Sequence, residues 1–107
     1  MSSSEDLSKH LDKEIVDKYM VLKGLKPTRN GEFVGVEQNK FYVQVSEEEA
    51  YELSPLAFYI WSLCDGEHTV EDIARDISEN ASVAYHEVIE PLVVVLEEMK
   101  KVGLVTY

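Results

Sequence analysis

The chain has 107 residues, of which 45% are hydrophobic and 29% are charged, values typical of one globular domain rather than a disordered segment. Its single cysteine, Cys64, excludes an internal disulfide framework. No apolar run, Leu92 to Leu96 included, is long enough to cross a membrane. The first residues lack the apolar core of a signal peptide, so we expect a cytoplasmic protein with no membrane partner.

The net charge of −11 is concentrated in the second part of the chain. Residues 32–107 hold sixteen Asp or Glu against four Lys or Arg, whereas residues 1–31 hold five against six. Proteins bind nucleic acid largely by neutralising phosphates with Lys and Arg. A surface this acidic repels phosphates, so we expect no nucleic-acid partner.

The first predicted element is an amphipathic helix over residues 5–24, followed by a linker over residues 25–32 that carries Pro, Asn and Gly. Five apolar residues share one face of this helix: Leu7, Leu11, Ile15, Tyr19 and Leu22. An isolated helix of this length is marginal in water. We therefore expect it to dock, either on its own domain or on a second copy in a homodimer, and we treat residues 1–31 as an N-terminal addition.

Three short strands are predicted next. Phe33 to Glu37 and Phe41 to Val45 are apolar, β-prone runs, and the residues between them predict a hairpin. Ala50 to Leu53 predicts a third strand. The three glutamates at positions 47–49 are interpreted as a solvated turn.

Two capped helices joined by a turn follow. Ser54 can cap the first, Pro55 suits its first turn, and Gly66 supplies a left-handed stop. Thr69 caps the second, with Asp72 in capping-box position. The pair predicts a helix-turn-helix unit.

The last predicted helix runs from about 83 to 101, with Ser82 as its cap, Gly103 as its stop, and a kink or break at Pro91. One apolar face comprises Val88, Leu92, Val95, Met99 and Val102. A second comprises Tyr85, Ile89, Val93 and Leu96. Such a helix needs partners on more than one side. Either it is central to the core, with the N-terminal helix covering the second face, or that face lines a groove.

Catalysis needs a constellation of residues, and the sequence offers none. Cys64 lies on an apolar stripe, where a packed thiol is favoured over a nucleophile. The histidines, His10, His68 and His86, share no metal-ligand spacing. Trp61 is interpreted as a core anchor. We therefore expect no enzyme activity, no metal site and no cofactor.

The helix pair resembles the PqqD family, which is named for pyrroloquinoline quinone biosynthesis. The resemblance rests on the order Leu53-Ser54-Pro55, Ile60-Trp61, Cys64-Asp65-Gly66, Thr69-Val70 and Ile73, and on the closing Leu96, Gly103, Leu104 and Val105. It extends over residues 32–107. The N-terminal helix has no counterpart in the family pattern, and Pro91 is unusual in the last helix.

The resemblance implies an α+β, winged-helix-like domain of three short strands followed by three helices, here with an extra N-terminal helix. It also implies a non-catalytic peptide chaperone, or recognition element, which binds the leader of a ribosomally made precursor peptide and presents it to a modifying enzyme, often a radical S-adenosylmethionine enzyme. The leader would add as a strand beside the third strand and the last helix. Carried over to this chain, the peptide-binding residues are Ala50, Tyr51, Glu52, Leu53, Tyr85, Ile89 and Val93.

Two other functions compete with this one. A winged-helix DNA-binding regulator would need basic recognition helices, yet residues 69–79 contain Arg75 and four acidic side chains. A structural dimerisation module would pair the N-terminal helix between protomers.

Overall fold

The computed structural model describes residues 7–107, which form a 3₁₀ turn, four α-helices and five β-strands. In chain order these are the turn Leu7–Lys9, α1 Lys13–Leu22, β1 Thr28–Arg29, β2 Glu32–Glu37, β3 Lys40–Gln44, β4 Ala50–Leu53, α2 Pro55–Leu63, α3 Val70–Ala81, α4 Tyr85–Lys101 and β5 Val105–Thr106. The predicted α+β class is confirmed: a helix, three antiparallel strands and three helices follow one another. No helix within residues 7–107 has the length and apolar character needed to span a bilayer.

The N-terminal helix docks on its own chain. α1 packs against α4, and Leu7, Tyr19 and Leu22 are buried in the common core. Lys18 also forms an ion pair with Glu97 of α4, with 3.3 Å between Nζ and Oε1. The apolar stripe is therefore buried against its own chain, so its burial does not require a dimer. The helix is shorter than predicted because the backbone at Asp12 is extended, and positions 5 and 6 lie outside the described residues.

The segment predicted as a linker is held on the domain. The Leu25 carbonyl accepts a hydrogen bond from the Val70 amide at 2.9 Å, which satisfies a free donor in the first turn of α3. Pro27 is buried, and its carbonyl accepts from the Gly66 amide at 2.9 Å. β1 then pairs antiparallel with β5. The predicted linker therefore contains strand β1 and the first residue of β2, which the Pro, Asn and Gly residues did not predict.

The predicted hairpin is confirmed. β2 and β3 pair antiparallel around a two-residue turn, Gln38–Asn39, whose φ angles are +51° and +64°. Positive φ at both central residues is the hairpin geometry that matches strand twist. β4 pairs antiparallel with β3, so the sheet order is β2–β3–β4.

The predicted helix caps of α2 and α3 are confirmed. The Ser54 hydroxyl accepts from the Ala57 amide at 3.2 Å. Thr69 and Asp72 form the reciprocal capping box, at 2.9 and 3.0 Å. These bonds satisfy donors that a helix leaves free in its first turn.

α4 differs from its prediction at its start and at Pro91. Ser82 has a left-handed conformation and ends α3, while the Glu87 carboxylate accepts from the Ala84 amide at 3.0 Å and caps α4. The helix runs unbroken through Pro91, which excludes the break from the predicted kink or break. Packing outweighs the lost hydrogen bond, because Val88 and Leu92 beside the proline are buried.

Gly66 is required for two reasons, its positive φ of +80° and its contact with β1. A Cβ at this position would lie 2.9 Å from Thr28 Oγ1. Gly66→Ala should lower the free energy of unfolding by roughly 1–2 kcal/mol for the left-handed backbone and by a further ~1–3 kcal/mol for the clash. Urea unfolding measures the sum.

Gly103→Ala is the matched control for that substitution. Gly103 has nearly the same φ, +82°, but a Cβ there meets no atom within 4 Å. Gly103→Ala should therefore lower the free energy of unfolding only by the cost of the left-handed backbone. Equal losses in the two variants would contradict a role for the Thr28 contact.

Candidate functional site

β4 leaves one edge of the sheet without a strand partner in residues 7–107. The Val45 amide donates to the Glu49 carbonyl at 2.9 Å, which sets the alternation of the β3–β4 ladder. In an antiparallel pair every second residue turns its main-chain groups away from the partner strand. With Val43 opposite Tyr51, the groups that face outward on β4 belong to Ala50 and Glu52. This edge therefore offers two amide donors and two carbonyl acceptors.

A groove of about 290 Å³ runs between β4 and the C-terminal half of α4. The lining residues come from both elements and from the segments that flank them: Tyr51, Glu52, Leu53, Ser54, Ala57, Val95, Glu98, Met99, Val102 and Leu104. Ala50 and Glu52 are exposed, Tyr51 is half-buried and Leu53 is buried at the groove floor. The structure thus places an unpaired strand edge beside a partly apolar trough.

The other residues predicted for peptide binding lie elsewhere, and this part of the prediction needs correction. Ile89 and Val93 have no exposed surface, because they are packed into the core. Tyr85 lies between α1 and α3: its hydroxyl hydrogen-bonds that of Tyr19, and the Arg75 guanidinium lies 4.7 Å from its ring centre. The second apolar face of α4 is part of the core that α1 joins and does not form a groove.

The groove instead uses Val95, Met99 and Val102, which belong to the first of the two predicted apolar faces of the last helix. Val102 is 37% exposed and Val95 is half-buried. One signal in the sequence bears on them. The stripe on the N-terminal helix needs an apolar partner, and pairing it with one face of α4 leaves the other face for the groove, but the sequence does not show which face is paired.

A comparison with protein-family models matches residues 42–105 to Coenzyme PQQ synthesis protein D (PqqD). The chain belongs to the PqqD family. The match spans more than half of the chain and includes β4, all of the groove-lining residues, and α2, α3 and α4. It begins later than the boundary at residue 32, so α1, β1 and β2 lie outside it. No curated protein and no solved structure gives a significant match.

The groove of this PqqD-family chain is acidic. Glu52 and Glu98 both line it. Glu52 lies 3.7 Å from Lys40 in an exposed ion pair, a kind worth little in water, and Glu98 forms no ion pair with any residue in 7–107. Partial burial and the Glu49 carboxylate raise the pKa of the Tyr51 hydroxyl, which stays protonated and donates to Glu49 Oε2 at 3.3 Å. A cationic ligand is favoured here.

The described part of this PqqD-family chain brings no three metal-binding side chains together. His10 and His86, far apart in sequence, stack with 3.8 Å between ring centres, a pairing that their spacing did not predict. Burial raises the pKa of the Cys64 thiol to about 12, and its Sγ lies 3.2 Å from the Ile60 carbonyl oxygen. This thiol is a packed group with little thiolate at neutral pH, as predicted.

Proposed function

We propose that this protein is a non-catalytic, cytoplasmic peptide chaperone, which binds the leader of a ribosomally made precursor peptide and presents it to a modifying enzyme. The observation that carries the proposal is the unpaired edge of β4, whose outward main-chain groups at Ala50 and Glu52 lie beside the groove. An extended peptide adds to such an edge as a further strand. Family membership supports the same role.

Stable binding of a peptide requires both hydrogen bonds to the β4 edge and apolar contacts in the groove. Each main-chain hydrogen bond contributes about 1 kcal/mol net, and Ala50 and Glu52 offer four groups. Association costs roughly 4–15 kcal/mol, so these bonds alone do not hold a peptide. Burying one large apolar side chain adds about 1.5–3 kcal/mol. An apolar peptide residue against Val95, Met99 and Val102 supplies this contribution.

The charge of the groove narrows the class of peptide. Glu52 and Glu98 line it, and Glu47, Glu48 and Glu49 lie in the turn before β4. Complementary charge steers encounter and suppresses wrong partners. The leader therefore carries Lys or Arg near its apolar anchor. The modifying enzyme is of the radical S-adenosylmethionine type, a part of the proposal that rests on family membership alone.

The two competing functions have less support. The outer surface of α3 is acidic, and its one cation, Arg75, lies over Tyr85 and within 3.2 Å of Glu71. This helix offers no free cation to a phosphate. Dimerisation through α1 has less support because the apolar stripe of that helix faces the core of its own chain and is not available to a second copy.

The test is binding of a peptide selected from a display library of twelve-residue sequences on the full chain, with affinity measured by calorimetry. Ala50→Pro removes an outward donor without touching the bonds to β3, and should weaken binding roughly tenfold. Ala50→Val retains the amide and is the matched control. Equal affinity in the wild type and the proline variant would refute strand addition.

The wall of the groove is tested separately. Val102→Glu places a charge in the apolar wall and should weaken the same peptide by about tenfold or more. Val94→Glu is the control, since Val94 is 40% exposed on the same helix but lies outside the groove. A peptide that tolerates Val102→Glu as well as Val94→Glu binds somewhere else.

A further inference from the structure

A second cavity, of about 210 Å³, lies where α2, α3 and the first half of α4 meet. Leu56 contributes from α2, Ile77 from α3, Val83 from the following turn, and Val88 and Pro91 from α4. Leu56 and Val83 are about two-fifths exposed, so the cavity is open to solvent. It shares no lining residue with the groove beside β4.

Pro91, a proline inside α4, lines this cavity, and the packing of the helix gives no reason for a proline at this position. A proline inside a helix costs about 3 kcal/mol or more, yet α4 keeps one there. Its ring is exposed and lines the cavity. Because proline has no amide hydrogen, the Glu87 carbonyl loses its partner four residues on. The proline thus contributes an apolar wall to the cavity rather than stability to the helix.

The size of the cavity limits its occupant. Pockets for small-molecule ligands typically have volumes of about 300–1,000 Å³, and this one is smaller. Its walls are almost entirely aliphatic, with Glu87 as the acidic exception. A single large apolar side chain suits these dimensions. Such a side chain, set into a pocket between rigid helices, is a common anchor of protein interfaces.

The surrounding charge specifies the segment that carries this side chain. Between Phe41 and Met99 the chain has fourteen Asp or Glu and one cation, Arg75. That cation is held by Glu71 and by the ring of Tyr85. Glu87 lines the cavity and the exposed Glu90 precedes Pro91, so a basic segment is attracted to the rim of the cavity, whereas an acidic one is repelled.

We propose that this cavity is a second docking site, which accepts one large apolar side chain flanked by Lys or Arg on a partner protein. The proposal does not depend on the function of the β4 groove. Because the two sites have no residue in common, a protein bound here leaves the strand edge free for a peptide.

The probe is a synthetic pentapeptide with tryptophan between two pairs of lysines, titrated into methyl-labelled full-length protein and followed by NMR. The methyl signals of Leu56, Val83 and Leu92 should shift. Two control peptides replace the tryptophan by serine or the lysines by glutamates, and each should bind at least fivefold more weakly. Equal binding of the serine peptide, or shifts confined to Val95 and Val102, would overturn the proposal.

Two variants and one control test the location of the site. Ala81 is exposed and lines the cavity, so Ala81→Phe should fill it and weaken the tryptophan peptide at least fivefold. Val94→Phe, on an exposed face of α4 outside the cavity, is the control and should leave affinity unchanged. If Ala81→Phe does not fold, Glu90→Lys provides a second test of binding at this cavity. This charge reversal beside Pro91 should weaken binding severalfold, and unchanged affinity would contradict the role of charge.

Discussion

Trp61→Ala should lower the free energy of unfolding by about 3–5 kcal/mol, the usual cost of removing a large buried aromatic side chain. Trp61 is only 5% exposed and stacks on Phe58, with 5.7 Å between ring centres. Its indole N–H also lies 3.2 Å from the Asn30 carbonyl oxygen and 3.1 Å from that of Leu104. The side chain therefore joins α2 to the segments before β2 and before β5. Urea unfolding of the two proteins measures the difference.

Trp61→Phe separates packing from hydrogen bonding. Phenylalanine retains an aromatic ring beside Phe58 but cannot donate to either carbonyl. The Leu104 carbonyl also accepts from the Asn30 amide at 2.8 Å and so keeps a partner, and loss of the indole hydrogen bonds should cost roughly 0.5–1.5 kcal/mol each. The phenylalanine variant is therefore expected between the wild type and the alanine variant. An alanine variant that unfolds at the same urea concentration as the wild type would show that Trp61 is not a core anchor.

The features that sequence reasoning predicted well are those set by neighbours within a few positions. The Ser54 cap, the Thr69–Asp72 box and the positive φ of Gly66 each depend on one turn of chain. The hairpin also follows from two short runs and the residues between them. Local hydrogen bonding and sterics decide such features, so no knowledge of distant contacts is needed.

The candidate site depends on distant contacts, and the sequence predicted only part of it. The strand Ala50–Leu53 was located, but the outward direction of Ala50 and Glu52 depends on the pairing of β4 with β3. The wrong face of α4 was assigned to the groove because both faces are apolar. Val93 and Val95 differ in burial only through the elements packed against them. Periodicity identifies an apolar face but not its partner.

Removing residues 1–26, so that the chain begins at Pro27, should prevent stable folding. The deletion removes the buried side chains of Leu7, Tyr19 and Leu22 and uncovers part of the core, in which Ile89 and Val93 have no exposed surface. Each such side chain contributes about 1.5–3 kcal/mol when buried. The three removed side chains contribute roughly 5–9 kcal/mol, and the core surface that the deletion uncovers adds to this loss, which is comparable with the entire stability of a typical domain, about 5–15 kcal/mol. The cost therefore consumes most or all of the stability.

Circular dichroism and sedimentation of the truncated and full chains check this expectation, and two substitutions sharpen it. Ile89→Glu places a charge in the same buried region and should also unfold the protein. Val21→Ala changes α1 at a position 74% exposed and should alter stability by less than about 0.5 kcal/mol. A truncated chain that stays monomeric and melts like the full chain would mean that α1 is a loose appendage. In that case the Tyr85, Ile89 and Val93 face would return as a candidate surface for peptide. The expected unfolding instead assigns α1 to the fold and leaves the edge of β4, with Val95, Met99 and Val102 behind it, as the surface open to a peptide.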